Sequence, residues 1–163
     1  DEIVGLVAEG VGDIGIVAGT VDMGSLETFP FRSDRFVVVT SAIHPLAQRK
    51  SMTFADVLGC DLVGLDRASS LQRFPSAKAV REGRPLRLRV QLRSFDAVCR
   101  LVECGVGVGI VPETTARRAA RTMSLGIVDL TDDWAQRELT ICVRSLAGLA
   151  PYARDLVDSL RSG

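Results

Sequence analysis

The chain has 163 residues, 47% of them apolar and 25% charged, and its 20 basic side chains balance 20 acidic ones. That composition excludes a disordered or fibrous protein and leaves room for one ordinary domain or two small lobes. Zero net charge argues against a piece that grips nucleic acid by itself, since such affinity needs excess basic charge to neutralise phosphates. No apolar run approaches the ~18 residues of a membrane-spanning helix.

Residues 2–9, with Ile3, Leu6 and Val7 apolar, read as a short amphipathic helix ending at Gly10. Residues 13–17 follow as a buried-type strand. Residues 26–31 and 35–40 read as two further strands, the second richly β-branched. Thr53 is a good N-cap for a short helix to Leu58. Residues 62–65 form another buried-type strand, and 70–81 a helix stopped near Gly83 and Pro85. Residues 87–93 alternate strictly between polar and apolar, the pattern of a half-buried strand whose arginines face solvent.

Ser94 or Asp96 caps a helix that carries Val98, Leu101 and Val102 on one side. It runs out at Gly105, and a tight turn leads into an apolar strand that Pro112 ends. Glycine at 105 and 107 suits positive φ and close backbone approach in such a turn, and at Gly107 we expect positive φ. Residues 113–121 read as helix, 125–130 and 138–143 as strands. Pro151 opens a final helix with Ala153, Leu156, Val157 and Leu160. Strands alternating with helices of this length imply an α/β protein with parallel sheets built from βαβ units.

Chemistry is sparse along this chain. Its four cysteines, Cys60, Cys99, Cys104 and Cys142, lack a CxxC or zinc-like spacing and are expected to be buried, inert thiols. Cys99 and Cys104 lie five apart on an expected helix, a poor geometry for a disulfide. His44 is the single histidine, has no nucleophile signature around it, and reads as structural. The glycines from 105 to 109 follow a helix and precede a strand, the wrong order for a dinucleotide loop. No metal, cofactor or catalytic constellation is expected.

The segment from Asp66 to Leu71 lies between a buried strand and a helix, where α/β proteins place ligands at the strands' carboxyl ends. Ser69 and Ser70 offer hydroxyls there, and the helix start offers N–H groups and partial positive charge. Ordinary N-capping is the plainer role for them. Arg67 adds a charge or simply faces solvent. Ser94 and Phe95 stand at the equivalent point before the next helix, and Thr40 and Ser41 end the β-branched strand.

Three segments in fixed order carry a resemblance. They are Gly12-Asp13-Ile14-Gly15-Ile16-Val17, His44-Pro45-Leu46-Ala47 after the Phe36–Val39 run, and Val102 through Pro112. With Trp134, Arg137-Glu138-Leu139 and a terminal helix behind them, they resemble the effector-binding domain of LysR-type transcriptional regulators.

The resemblance implies a two-lobed, type II periplasmic-binding-protein-like α/β fold with two crossover strands, at 35–40 and 139–143. Lobe I would hold residues 1–40 and 141–163, and lobe II residues 41–140. The family's first strand-helix-strand, linker helix and winged helix-turn-helix would be absent, leaving lobe I incomplete. It further implies a sensor without catalytic activity. A small, usually anionic effector would be held in the interlobe cleft by Thr40, Ser41, Arg67, Ser69, Ser70, Ser94 and Phe95. DNA would be reached only through the missing N-terminal domain of a cytoplasmic homodimer or homotetramer. The alternative is a periplasmic solute-binding protein of a transporter, which an upstream signal peptide would mark.

Overall fold

The computed structural model describes residues 2–19, 21–66 and 69–162, apart from the side chains of residues 70, 71, 73 and 74. The chain divides into two compact units, residues 1–34 with 136–163, and residues 35–135.

In the first unit, helix α1 (Glu2–Ala8) precedes strand β1 (Ile14–Ala18), which pairs antiparallel with the late strand β8 (Gln136–Val143). The next strand in sheet order after β8 is β2 (Glu27–Ser41), whose first half belongs to this unit. The final helix α6 (Pro151–Ser162) buries Ala153 and Val157 against Ile141 and Val143, with Phe29 and Phe31 of β2 alongside. Val7 of α1 packs with Val17 and Cys142. Gly15 makes this contact possible. A Cβ there would lie 2.8 Å from both Cys142 Sγ and Ile3 Cγ2, so only glycine lets α1 lie this close to the sheet.

The second unit contains β3 (Ser51–Met52), β4 (Leu62–Leu65), β5 (Leu88–Leu92), β6 (Gly109–Pro112), β7 (Leu125–Leu130) and the second half of β2. Hydrogen bonds from Val63 N–H to Val108 O and from Val108 N–H to Asp61 O, both 2.9 Å, join β4 to the start of β6. With the other pairings this gives the order β5-β4-β6-β2-β7-β3. Strand alternation sorts the apolar side chains to two faces. Phe36, Val38, Leu62, Val128 and Leu130 pack with Phe54 and Val57 of α2 (Phe54–Val57) and Ala79 of α3 (Ser70–Arg81). Val37, Val39, Val63 and Val111 pack with Val98, Cys99 and Val102 of α4 (Phe95–Glu103) and Ala116 of α5 (Glu113–Ala119).

Four expectations need correction. The two strands expected at 26–31 and 35–40 are one strand, β2, of 15 residues. Pro30 is tolerated within it because the strands pairing with β2 on its second-unit side begin only at Phe36, leaving a neighbour on one side of the first half. The sheets are not wholly parallel: β4 with β5 and β3 with β7 are, whereas β1 with β8 and β2 with β6 and β7 are antiparallel. A strand such as β2, which carries the chain from one unit into the other, does not return through a helix and so runs against its neighbours.

Gly107 lacks the expected positive φ, which falls instead at Gly105 (φ 77°). Glycine is required at 107 for a different reason, because a Cβ would overlap the Asp61 carbonyl oxygen. Finally, the cysteines are not uniformly buried. Cys99 and Cys142 are, Cys60 is half-buried, Cys104 is exposed, and all four are free. Burial pushes the Cys99 thiol up to about 11, which keeps it protonated.

His44 has a local task. Its Nδ1 accepts the Leu46 N–H at 3.1 Å and caps the 3₁₀ turn Pro45–Gln48, with Pro45 at the first position. On β5 the polar face is solvated as its alternation predicts, with Arg89 Nη1 3.2 Å from Asp61 Oδ2. An ion pair this exposed contributes little, so Arg89→Ala is expected to shift unfolding stability by no more than ~0.5 kcal/mol, measured by urea denaturation.

Candidate functional site

In the second unit β4, β5, β6 and β7 all run the same way, so their carboxyl ends form one edge of the sheet. Two helices begin on adjacent strands at that edge. Asp66 N–H donates to Leu92 O at 2.9 Å, which sets the chain leaving β4 beside the chain leaving β5. From there α3 crosses to one face of the sheet and α4 to the other. The order β5-β4-β6 means that the chain steps outward from β4 to β5 and then back across to β6. That reversal is a topological switch point, and open α/β sheets hold ligands outside the carboxyl ends of the two strands flanking it. Here those strands are β4 and β6, followed by α3 and α5.

Among the described residues, pairing between β4 and β6 stops at the Leu62–Val108 bridge. Val63 N–H points at β6, so by alternation Leu65 N–H does too. It meets no strand there and donates instead to Oε1 of Gln72, at 2.9 Å. Gln72 is 7% exposed, and its Nε2 donates to Ser76 Oγ at 3.4 Å. Our sequence reading missed this residue, although Ser69-x-x-Gln72 is a capping-box pattern. The box does not form in its usual way, because the Ser69 N–H is taken by Asp66 Oδ1 at 3.1 Å and the Gln72 side chain turns back to β4.

Ser69 is the N-cap of α3 and its hydroxyl makes no capping bond. Ser70 opens the helix. Ser94 caps α4, its Oγ accepting the Ala97 N–H at 3.3 Å, and Phe95 is half-buried in the α4 face. Ser69, Ser70, Ser94 and Phe95 therefore share the carboxyl edge. Arg67 lies outside the described residues.

Thr40 and Ser41 do not join them, and their expected convergence with the serines is corrected by the register. Val39 pairs with Gly109 and Phe36 with Pro112, so the carboxyl end of β2 lies beside the amino end of β6. Thr40 and Ser41 thus lie at the opposite end of the sheet, four to five residues away, or roughly 13–16 Å. Thr40 is fully buried, and its hydroxyl donates to Ser41 O at 3.0 Å.

The residue of β2 that does lie at the carboxyl edge is Arg35. Its Nε donates to Glu113 Oε2 at 2.6 Å, and its Nη2 lies 3.2 Å from Asp129 Oδ1. Arg117 also binds Glu113. The hydrogen bond from Arg35 holds the Glu113 carboxyl below the usual range, against a smaller opposing effect of burial, and Arg117 adds to the lowering. A depressed carboxylate contributes stability above its unfolded value, and loses it as pH falls through its folded value. Glu113→Gln should therefore melt below the parent protein at pH 7, with the gap closing on acidification through the carboxylate range.

The helix starts in this unit differ in what they hold. α2 has Asp56 in a capping box, α4 has Asp96 and the Ser94 cap, and α5 has Glu113. α3 has no acidic residue in its first turn and no side-chain cap. The carboxylate at this start comes instead from Asp66, just ahead of the helix, whose Oδ1 accepts the N–H of the Ser69 cap at 3.1 Å.

An open α/β sheet with a switch point, in a chain of two units, is an architecture that α/β proteins use to hold small molecules. The chain belongs to the LysR substrate binding domain family, whose model matches residues 1–163. That family comprises regulatory effector-binding domains and not enzymes, and the transporter alternative finds no support in the comparisons.

A probable RuBisCO transcriptional regulator of Synechocystis sp. is 24% identical over 144 residues, 84% of this chain and 41% of the relative. An uncharacterized HTH-type regulator of Escherichia coli, YbhD, is 27% identical over 143 residues, 86% of this chain and 44% of its own. The chain thus spans less than half the length of these curated relatives. Among solved structures, the regulatory domain of MetR from N. meningitidis shares the fold with TM-score 0.81 and 19% identity, over 99% of this chain and 77% of that one. The Synechocystis CcmR regulatory domain in complex with 2-PG has TM-score 0.79 and 20% identity over the same shares. The fold is the type II periplasmic-binding-protein-like one of such domains. Among the described residues no helix is long and apolar enough to cross a membrane.

Proposed function

We propose that this chain is the effector-sensing part of a bacterial LysR-type transcription factor and that its effector is a small organic anion bound at the start of α3. The observation carrying this reading is the place of α3: it follows β4, which flanks the switch point, and unlike α4 and α5 it has no acidic residue within its first turn, the Asp66 carboxylate lying just ahead of it on the Ser69 N–H. Backbone N–H groups of the α3 start, that of Ser70 among them, and the Ser69 hydroxyl would give charge-assisted hydrogen bonds to a carboxylate or phosphate, with Ser94 and Phe95 bordering it. Thr40 and Ser41 take no part. Related domains support an anion: CcmR binds 2-phosphoglycolate, and the QuiR domain of the same fold binds shikimate, itself a carboxylic acid.

We take the two compact units as the two lobes: the chain passes from one to the other within β2 and returns between Ala135 and Gln136, where β8 begins. The effector favours one arrangement of the lobes by binding it more tightly. DNA is reached through a domain outside this chain, in a cytoplasmic homodimer or homotetramer.

Calorimetry against a panel of small carboxylates and phosphocarboxylates, each beside its amide or alcohol analogue, tests the ligand class. Binding by anions and none by their neutral analogues is expected, with at least a tenfold loss in Ser69→Asp; preference for neutral compounds would overturn the reading. The 163-residue chain alone should give no sequence-specific retardation of duplex DNA, given its zero net charge.

A further inference from the structure

We infer that Gln72 is the positioning residue of the effector site, an inference that rests on the reading just given. Its side chain does what a neighbouring strand would otherwise do. β4 and β6 pair at Leu62–Val108 and no further among the described residues, leaving the Leu65 N–H inside the sheet's split. Oε1 of Gln72 accepts that N–H at 2.9 Å from a side chain almost wholly removed from water.

Room for this comes from Gly64, where a Cβ would stand 2.5 Å from Gln72 Oε1 and 2.7 Å from Leu88 Cδ2. Gln72 occupies the third position of α3, two residues after Ser70. The bond therefore ties the first turn of α3 directly to the end of β4. Two consequences follow for an anion at the helix start. The N–H groups that bind it are held at a fixed place relative to the strand, and the split between β4 and β6 is satisfied without being closed.

A glutamine suits this role better than the glutamate common at the third helical position. Either side chain accepts the Leu65 N–H, but glutamate would bring a negative charge beneath the bound anion, whereas the amide is neutral. Leucine or methionine would leave a buried N–H without an acceptor.

The test is a titration with inorganic phosphate, followed through the backbone amide signals of Ser69 and Ser70, on the parent chain, Gln72→Glu and Gln72→Met. The parent should show saturable shifts at both amides. Gln72→Glu keeps the acceptor for the Leu65 N–H but buries a charge and loses the donor to Ser76, so it should fold with a lower melting temperature than the parent. Its phosphate affinity should fall about tenfold or more through charge repulsion. Gln72→Met should lose fast-exchange protection at Leu65 together with affinity, and it decides the matter if Gln72→Glu fails to fold. Parent-like affinity in either folded variant overturns the role of Gln72 while leaving the anion site standing. Absence of any shift at Ser69 and Ser70 in the parent removes the site itself and the inference with it.

Discussion

Gly107→Val is expected to destabilise the chain by about 3 kcal/mol or more, because the new side chain has nowhere to go. A Cβ at this position would overlap the Asp61 carbonyl oxygen and lie 3.0 Å from its carbon. That carbonyl accepts the Val108 N–H at 2.9 Å, the bond that joins β6 to β4, so neither side can retreat without breaking the sheet. For a chain this size the loss corresponds to a fall in Tm of roughly 6–12 °C. Gly105→Ala is the control. Gly105 has positive φ but open space around it, so alanine costs only the left-handed backbone conformation, about 1–2 kcal/mol. Guanidinium denaturation of both variants separates the effects. A Gly107→Val midpoint equal to that of Gly105→Ala would refute the close-approach explanation.

Arg137→Met is expected to cost about 3–5 kcal/mol, the range for removing one partner of a buried ion pair. Arg137 Nη2 bonds Asp34 Oδ2 between β8 and β2 in the first unit, with side chains 11% and 12% exposed. Asp34 Oδ1 makes no hydrogen bond of its own, so without the guanidinium a buried carboxylate would be left with little to offset its lost hydration. Pairing the change with Asp34→Leu removes that charge and should recover more than half of the loss, since an apolar pair of similar volume is often neutral. Denaturant unfolding of the two single variants and the double checks this. Single variants within 1 kcal/mol of the parent would show that the pair is effectively solvated.

Gly107 sits in a segment whose local structure is legible in the sequence, whereas Asp34 and Arg137 fall just outside the strands expected at 26–31, 35–40 and 138–143. The bounds expected for β4, α3 and β7 coincide with those observed, because each is delimited by residues that act locally: apolar runs, Gly83 after the helix, and the turn at 122–124. The three motif segments hold their meaning for the same reason. Gly15 admits α1, His44 caps its turn, and Gly107 admits the Asp61 carbonyl.

What is not legible is direction. Nothing within residues 35–41 says that β2 runs against β4 and β6, yet that alone moves Thr40 and Ser41 to the far end of the sheet and brings Arg35 to the near one. Antiparallel register is a property of pairs distant in sequence, and a strand's own pattern records its burial and not its heading. The same holds for Gln72. Its Ser-x-x-Gln spacing reads as a helix cap, whereas its partner Leu65 is fixed by where the β4–β6 split falls. The Ser69 and Ser94 starts were legible because each follows a strand immediately, and parallel neighbours bring such starts to one edge.

Hydrogen–deuterium exchange with and without the tightest-binding anion of the calorimetric panel, at saturation, tests most directly whether the effector binds at the start of α3. Slowed exchange is expected in residues 69–72 and 94–97, at the carboxyl edge of the second unit's sheet, with residues 40–44 at the opposite end unchanged. Protection confined to residues 40–44 would contradict the account.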